Sequence, residues 1–262
     1  MNEAELVLTH VLDCGRLSLY LNKDINLGAD ISALLSSILK RRILGEPVQY
    51  ILGETEFMGL KFKVDNRALI PRPETEILVE QALIRLQEAE IASPKILDLG
   101  TGSGCIAVSI AKSLKHADVW ASDISSTALQ LAGENAALNN VEIKFIKSDL
   151  FDALKFKKNR FDLIISNPPY VSSEEFHALA KEISFEPPLA LKAGEDGLDF
   201  YRRIISRAEG YLKDNGLLIF EVGLNQAYPV KGMLEEEGFD QTELIKDYNN
   251  IERVVAAKKR AA

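Results

Sequence analysis

The sequence predicts an α/β fold: a mostly parallel β-sheet with helices on both faces, preceded by a small helical region. Three observations lead to this prediction. From residue 95 onward, short apolar runs alternate with helical stretches, which is the pattern of a parallel sheet covered on both sides. The last two apolar runs are separated by only a short polar link, which favours a hairpin and one antiparallel strand. Residues 1–45 place apolar residues at helical spacing.

The N-terminal part of the chain is predicted to hold helices followed by a hairpin. The runs EAELVLTHVL and ISALLSSILKRRIL have the apolar spacing of helices. In TEFMGLKFKV, alternating runs around a glycine indicate a β-hairpin. The segment PRPETEILVEQALIRLQ then starts a helix, because proline stands near its beginning and acids occupy its first turn. We therefore expect a helical domain at 1–45, a hairpin linker at 46–76 and a larger domain at 77–262.

Apolar runs with strand character recur through the large domain. They are KILDLG (95–100), ADVWASDI (117–124), IKFIKSD (143–149), FDLIISN (161–167), GLLIFEV (216–222), ELIKDY (243–248) and ERVVAAKK (252–259). The stretches GCIAVSIAKSL (104–114) and SSTALQLAGENAAL (125–138) are predicted helices between the first three runs. The last two runs are predicted to pair with each other as the closing hairpin.

Composition narrows the classes of function. The 262 residues are 47% apolar and 27% charged, as in ordinary globular proteins, and the net charge is −8. A protein that binds nucleic acid over its whole surface is normally basic, so this charge argues against that class. The clearest basic cluster, KRR at 40–42, is predicted to be a solvated helix face.

Cysteine, histidine and hydropathy patterns argue against further classes. The two cysteines, Cys14 and Cys105, lie far apart and outside any C-x-x-C pattern, which indicates a reduced, cytoplasmic compartment. His10, His116 and His177 show no ligand spacing with cysteine or acid, so no metal site is predicted. The N-terminus lacks the apolar core of a signal peptide, and no stretch approaches the ~18 apolar residues of a membrane helix.

The stretch LDLGTGSGCIA (97–107) joins the first strand of the sheet to its helix. Gly100, Gly102 and Gly104 allow the backbone to approach a ligand closely at the carboxyl end of the strand. A dinucleotide fingerprint is G-x-G-x-x-G/A, but here the third glycine comes one residue early and Asp98 stands just before the loop. A carboxylate there would repel a pyrophosphate but tolerates a cation. The order D-x-G-x-G-x-G therefore favours S-adenosylmethionine, which carries a sulfonium and no phosphate. A dinucleotide site and a purely structural turn are the alternatives.

Acids also end the next two strands. Asp123 ends the second strand and is predicted to accept both hydroxyls of an adenosine ribose, the alternative being an acid at the start of the following helix. Asp149 ends the third strand, where it would lie beside the adenine or cap the chain that follows. Leu150 and Phe151 would offer that adenine an apolar contact.

The stretch SNPPYV (166–171) follows the fourth strand. Residues before proline are held extended and proline has no N–H, so this stiff loop presents acceptors and few donors. The side-chain oxygen of Asn167 and the carbonyl of Pro168 could hold both N–H bonds of a planar amino group and aim its lone pair at a methyl donor. Tyr170 could stack on that group. A strand-ending turn is the alternative.

Together these motifs resemble the HemK/PrmC family, the peptide-chain release factor glutamine N5-methyltransferases. The resemblance covers nearly the whole chain. It rests on GEPVQYILGETEFMGLKFKV (45–64), LIPRPETE (69–76), DLGTGSGCIA (98–107), SNPPYV (166–171), FEPPLALKAGEDGLDFYRRI (185–204) and ERVV (252–255). The glycine loop alone marks the methyltransferase superfamily, and NPPY is shared with DNA adenine methyltransferases. PRPETE and the block with DGLDFYR are more specific.

The resemblance implies a class I S-adenosylmethionine-dependent methyltransferase: a Rossmann-like, seven-stranded, mostly parallel sheet with a small N-terminal helical domain that helps hold a release factor. The target would be the glutamine of that factor's Gly-Gly-Gln tip. The implied cofactor-binding residues are Gly100, Thr101, Gly102, Ser103, Gly104, Asp123, Leu150 and Asn167. The implied clamp on the substrate amide is Asn167, Pro168, Pro169 and Tyr170, with Asn167, Pro168 and Tyr170 as catalytic residues. Leu150 stands where the family often has tryptophan.

Two other classes of function remain open at this stage. A base amino group is also planar, so NPPY would suit methylation of an exocyclic base nitrogen, such as N6 of adenine. Such an enzyme must have the base presented to it and would need a large basic recognition region. Residues 1–45 are short and electrically neutral, so no direct nucleic-acid substrate is expected. A non-catalytic module that keeps the fold is the other class, and the intact NPPY sequence opposes it.

Overall fold

The computed structural model describes residues 2–21, 27–154 and 161–261. Residues 22–26, which belong to the predicted N-terminal helical domain, lie outside the described residues. Residues 155–160, which precede the fourth predicted strand, lie outside them as well, as do Met1 and Ala262.

The helices follow the sequence pattern closely. They are α1 (Glu3–Val11), α2 (Arg16–Leu21), α3 (Ala29–Ile43), α4 (Val48–Leu52), α5 (Pro73–Glu88), α6 (Cys105–Ser113), α7 (Ser126–Leu138), α8 (Ser173–His177), α9 (Asp199–Ala208) and α10 (Ala227–Glu236). Two short 3₁₀ helices span Lys181–Phe185 and Pro188–Ala190. Helix α4 was not expected; it fits between Pro47 at its start and Gly53, whose φ of 77° ends it.

The strands form a two-stranded hairpin and a larger sheet. They are β1 (Glu54–Phe57), β2 (Leu60–Lys63), β3 (Lys95–Leu99), β4 (Asp118–Asp123), β5 (Lys144–Lys147), β6 (Phe161–Ser166), β7 (Leu212–Glu221), β8 (Asp240–Lys246) and β9 (Glu252–Lys258). Strands β1 and β2 pair antiparallel, as predicted from TEFMGLKFKV. Strands β7 and β8 begin earlier than predicted, because polar residues at their starts concealed the strand pattern.

The larger sheet has seven strands in the order β5-β4-β3-β6-β7-β9-β8. Strands β3 to β7 pair in parallel, whereas β9 runs antiparallel to both of its neighbours, β7 and β8. The predicted mostly parallel sheet and its closing hairpin are therefore confirmed.

Both faces of this sheet are buried, which explains why its strands are almost continuously apolar. Ile96 and Leu163 belong to one core cluster, which also contains residues of α5 and α6. Leu97 and Ile164, their neighbours in sequence, belong to a second cluster with Tyr201 of α9. Alternate residues of each strand thus serve opposite layers of helices.

The sheet order places the predicted motifs together. Strand β3 pairs with β4 on one side and with β6 on the other, so the chain reverses its direction of progress across the sheet at β3. The loops that leave the carboxyl ends of β3, β4 and β6 therefore meet at one edge. This is the position where ligands bind in open α/β sheets.

Candidate active site

The glycine loop connects β3 to α6 and is anchored to the neighbouring strand. The backbone N–H groups of Gly100 and Thr101 both donate to the carbonyl oxygen of Ser122, at 2.8 and 2.9 Å. Gly104 precedes α6 with a φ of 82°, and a Cβ there would lie 2.9 Å from the Cβ of Ala132 in α7. Only glycine tolerates this positive φ and also lacks the Cβ that would clash, so Gly104 lets α6 pack against α7.

Asp123 ends β4 and faces this loop. Its Oδ2 accepts the backbone N–H of Gly102 at 2.9 Å, and its Oδ1 accepts that of Ser125 at 2.8 Å. Each of these two carboxylate oxygens can accept a second hydrogen bond, so Asp123 can still accept hydrogen bonds from two hydroxyl groups of a ligand. Burial raises the pKa of Asp123 above its ordinary value.

Asp98 lies beneath the loop and is fully buried. Its Oδ2 accepts a 2.6 Å hydrogen bond from the hydroxyl of Thr101. Burial raises the pKa of Asp98 to about 7, and the nearby Asp123 adds to the rise. Two acids at one glycine loop make a poor phosphate cradle, which agrees with the ligand class predicted from the sequence.

One cleft joins the three loops, with a cavity volume of about 290 Å³. This volume lies near the lower end of the roughly 300–1,000 Å³ typical of small-molecule sites. Nine of the predicted site residues line it: Gly100, Thr101, Gly102, Ser103, Asp123, Leu150, Asn167, Pro168 and Pro169. Gly104 and Tyr170 do not line it; Gly104 lies behind the loop and Tyr170 follows the lining residue Pro169.

The chain after β5 forms an apolar wall of the cleft. Leu150 is buried and lines the cavity with its backbone in the left-handed region, at a φ of 47°. Asp149 also lines the cavity, and its Oδ2 accepts a 2.7 Å hydrogen bond from Arg203 of α9. Phe151 is buried in the core instead, stacked against Tyr211 at 4.4 Å between ring centroids.

Asn167 leaves the end of β6 and is tied to the interior. Its Nδ2 donates a 3.2 Å hydrogen bond to the hydroxyl oxygen of Thr75, in the first turn of α5. The Thr75 hydroxyl in turn donates to Oε2 of Glu221, at the end of β7, at 2.7 Å. Burial raises the pKa of Glu221 to about 7, against the lowering effect of the Thr75 hydrogen bond.

Tyr170 is held by its surroundings through its backbone. Its carbonyl oxygen accepts a 2.9 Å hydrogen bond from Nε2 of Gln226, just before α10. A Cβ at Gly197 would clash with the same carbonyl, so the chain before α9 approaches the NPPY loop as closely as glycine permits. Burial raises the pKa of Tyr170 to about 12, and its ring packs against the core cluster that contains Tyr201.

The block FEPPLALKAGEDGLDFYRRI borders the cleft, as its position after the fourth strand suggested. Leu189 and Phe200 line the cavity, together with Arg203. At the start of the block, the buried Glu186 accepts a 2.6 Å hydrogen bond from Arg72, which also lines the cavity. The block therefore ties one cleft wall to the N-terminal end of α5.

Sequence reasoning missed Thr75, Glu221, Arg72 and Arg203 as parts of this site. The signal for two of them is the PRPETE motif, which contains Arg72 and Thr75 and is specific to the family that the sequence resembles. Glu221 carries a weaker signal, because an acid that directly follows the apolar run GLLIF needs a partner when it is buried.

The basic cluster of α3 is partly neutralised by acids. Arg41 forms an ion pair with Glu46, and Arg42 forms ion pairs with Glu3 at 2.9 Å and Glu182 at 3.2 Å. Glu182 belongs to the 3₁₀ helix Lys181–Phe185, so Arg42 also links the N-terminal helices to the large domain.

The described part of the chain contains neither a candidate metal site nor a helix that could span a membrane. Across residues 2–21, 27–154 and 161–261, no three His, Cys, Asp or Glu side chains cluster into a candidate metal site. Within the same ranges, no helix has the length and apolar character needed to cross a membrane.

Known proteins resemble this chain in both sequence and fold. Residues 75–194 match the family described as Methyltransferase small domain, and residues 1–53 match the PrmC N-terminal domain. The release factor glutamine methyltransferase of Thermodesulfovibrio yellowstonii is 42% identical over 261 residues, which cover 99% of this chain and 92% of that protein. The release factor glutamine methyltransferase of Geobacter sulfurreducens is 42% identical over 257 residues, covering 98% of this chain and 88% of that protein.

A solved structure shares the fold at low sequence identity. The crystal structure of a methyltransferase from Pyrococcus furiosus superimposes with a TM-score of 0.57 at 16% identity. The match covers 86% of this chain and 99% of that one. The seven-stranded sheet is therefore the class I methyltransferase fold, as predicted.

Proposed function

Because this chain belongs to the release factor glutamine methyltransferase family, we propose that it methylates the side-chain amide nitrogen (N5) of a glutamine in peptide-chain release factors. The methyl donor is S-adenosylmethionine, and the target is the glutamine of the Gly-Gly-Gln tip. Such a modification would support translation termination. The observation that carries the proposal is the meeting of Asn167 and Pro168 with the Gly100–Ser103 loop around one cleft.

The residues of the cleft fit S-adenosylmethionine. The carboxylate of Asp123 keeps acceptor capacity for the ribose hydroxyls, and Leu150 provides an apolar surface for the adenine. The glycine loop leaves room for the backbone to approach the ligand. Asp98, buried beneath the loop with its pKa raised to about 7, does not line the cleft. When bound, the cofactor supplies a methyl group on positively charged sulfur, which is open to attack by nitrogen. Gly104 and Asn167 complete the proposed cofactor site.

The NPPY loop fits the substrate amide. An amide nitrogen is a weak nucleophile, because its lone pair is delocalised into the carbonyl, so the enzyme must orient it. Oδ1 of Asn167 and the carbonyl of Pro168 would accept its two N–H bonds and leave the lone pair directed toward the methyl donor. The same acceptor dipoles would stabilise the positive charge that develops on the nitrogen. Pro169 keeps the loop stiff. Tyr170 was expected to stack on the planar amide, but its ring packs against the core cluster and does not line the cleft, so its role in this scheme is to hold the loop in place.

The partner is proposed to be the release factor protein itself, with no direct nucleic-acid substrate. The net charge of −8 and the ion pairing of Arg41 and Arg42 with acids support this choice. We propose that residues 1–45 form the domain that docks the release factor and that residues 46–76 are a linker. Residues 77–262 would then form the catalytic methyltransferase domain. We also propose a cytoplasmic location, where release factors act.

The direct test is mass spectrometry of release factor tips. A purified release factor is incubated with this protein and S-adenosylmethionine, and the tip peptide is expected to gain the mass of one methyl group on its glutamine. A factor in which that glutamine is alanine serves as the control and should gain nothing. Equal transfer to the control would overturn the assigned target.

A further inference from the structure

Thr75 and Glu221 form a buried chain of hydrogen bonds behind Asn167. Thr75 is 2% exposed and Glu221 is 3% exposed. The distances are 3.2 Å from Asn167 Nδ2 to Thr75 Oγ1 and 2.7 Å from Thr75 Oγ1 to Glu221 Oε2. Thr75 and Glu221 are almost completely shielded from solvent, so their polar atoms must find partners within the protein, whereas Asn167 is partly buried and lines the cleft.

The direction of the chain fixes which way the Asn167 amide faces. An ionised carboxylate can only accept, so the Thr75 hydroxyl must donate its single proton to Glu221. The Thr75 oxygen is then left as an acceptor, and only the NH2 group of Asn167 can bond to it. Among the described residues Oδ1 of Asn167 accepts no hydrogen bond, and Asn167 lines the cleft.

A rotation of the amide would reverse its chemistry. With NH2 toward the cleft, Asn167 would offer donors to a substrate amino group that itself has only donors to give. The NH2 group of Asn167 must therefore face Thr75, and its acceptor Oδ1 must face the cleft. Burial and the nearby Glu74 raise the pKa of Glu221, whereas the Thr75 hydrogen bond, the nearby Arg253 and a direct interaction with Asn167 lower it, so Glu221 supports the Asn167 amide both through Thr75 and directly.

We propose that Thr75 is a positioning residue: its hydroxyl, oriented by the carboxylate of Glu221, holds the amide of Asn167 with Oδ1 turned toward the substrate. This assignment rests on the proposed function and adds to it the reason why the acceptor of the clamp points outward. Glu221 is buried away from the cleft, and Thr75, which borders the cleft, makes no substrate contact in this scheme. Both act through Asn167.

The test compares Thr75→Val, which keeps the shape and removes the hydroxyl, with Thr75→Ser, which keeps the hydroxyl. Assays at pH 8 keep the Glu221 carboxylate ionised, since its pKa lies at about 7. We expect Thr75→Val to lower kcat by about 10- to 100-fold, as for a misoriented reacting group. The KM for the release factor and the calorimetric Kd for S-adenosylmethionine should change less than about threefold, because their contacts remain. Thr75→Ser should restore most of kcat.

A double variant separates positioning from general packing. In an Asn167→Ala background, Thr75→Val should lower kcat by less than about twofold further, because the group it positions is already absent. Thr242→Val is the matched control: it makes the same exchange in β8, where Thr242 Oγ1 is buried without a hydrogen bond. If Thr75→Val does not fold, Thr75→Ala removes the same hydroxyl without adding a methyl group.

The outcomes distinguish this inference from the proposed function. If the unaltered chain transfers methyl groups and the kcat of Thr75→Val lies within twofold of its kcat, the positioning role of Thr75 is overturned and the proposed function is not. The positioning role is also overturned if Thr75→Val lowers kcat by the same factor in the unaltered chain and in the Asn167→Ala background. No transfer to release factor by the unaltered chain would instead overturn the proposed function.

Discussion

The backbone N–H of Gly102 donates a 2.9 Å hydrogen bond to Oδ2 of Asp123, so the glycine loop after β3 is fastened to the end of β4. The two residues are 21 positions apart: Gly102 lies in the loop that follows β3, and Asp123 is the last residue of β4, which pairs in parallel with β3. The bond makes Asp123 part of the loop's structure as well as a candidate ligand of the ribose. A change at Asp123 therefore acts on the cofactor site in both ways.

Replacing Asp123 by alanine should weaken the binding of S-adenosylmethionine. Loss of charge-assisted hydrogen bonds costs about 1.5–3 kcal/mol, which corresponds to a Kd about 10- to 150-fold higher. Titration calorimetry measures this directly. Asp118→Ala, at the opposite end of the same strand, is the control and should leave the Kd unchanged. An unaltered Kd for Asp123→Ala would remove this residue from the cofactor site.

Replacing Asn167 by alanine should affect chemistry far more than cofactor binding. The variant loses the acceptor aimed at the substrate amide, and we expect kcat to fall by about 100- to 1,000-fold, as for a lost oxyanion-hole donor. Single-turnover transfer to a release factor and calorimetry with S-adenosylmethionine would separate the two steps. Asn249→Ala, in the exposed turn after β8, is the matched control. Lost cofactor binding with normal single-turnover transfer would contradict the assigned role.

The parts of the site that the sequence predicts are those set by local pattern. The glycine loop and NPPY each follow an apolar strand and Asp123 ends one, and a parallel sheet brings the carboxyl ends of its neighbouring strands to one edge. Their meeting around one cleft thus follows from the order of β3, β4 and β6.

The parts that could not be predicted depend on distant contacts. Thr75 lies 92 positions from Asn167 and 146 from Glu221, and each contact exists because α5 packs across the sheet. Sequence periodicity predicts which face of a helix is buried, but it does not predict which hydroxyl will contact which acid on a distant strand. The ion pair of Arg203 with Asp149, over 54 positions, is of the same kind.

Replacing Gly104 by alanine should destabilise the fold. The φ of 82° disfavours any residue with a Cβ, and that Cβ would lie 2.9 Å from the Cβ of Ala132. Strain and overpacking together should lower the free energy of unfolding by about 2–4 kcal/mol, measurable by urea denaturation. Gly133→Ala is the control, because Gly133 lies inside α7 with open space around it. That variant should gain about 0.5–1 kcal/mol, and equal effects at both positions would refute the argument.

The buried acids should make stability fall as pH rises. Burial raises the pKa of Glu221 from 4.5 to about 7 and that of Asp98 from 3.8 to about 7. At a pH between the unfolded and the folded pKa of each acid, the folded protein retains a proton that the unfolded chain has released. Raising the pH through this range therefore favours unfolding. The stabilisation is complete below the unfolded pKa and is lost as pH passes through about 7.

Glu221→Gln isolates this effect. The substitution removes one titrating group at nearly constant shape, so the drop in unfolding free energy between pH 5 and pH 8 should shrink. From the pKa difference, the reduction should be on the order of 3 kcal/mol. Urea denaturation at several pH values measures it, and Asp98→Asn should give a second, separate reduction. If the pH dependence of Glu221→Gln equals that of the unaltered chain, Glu221 does not keep its proton in the folded state, and its negative charge is stabilised there by Thr75 and Arg253.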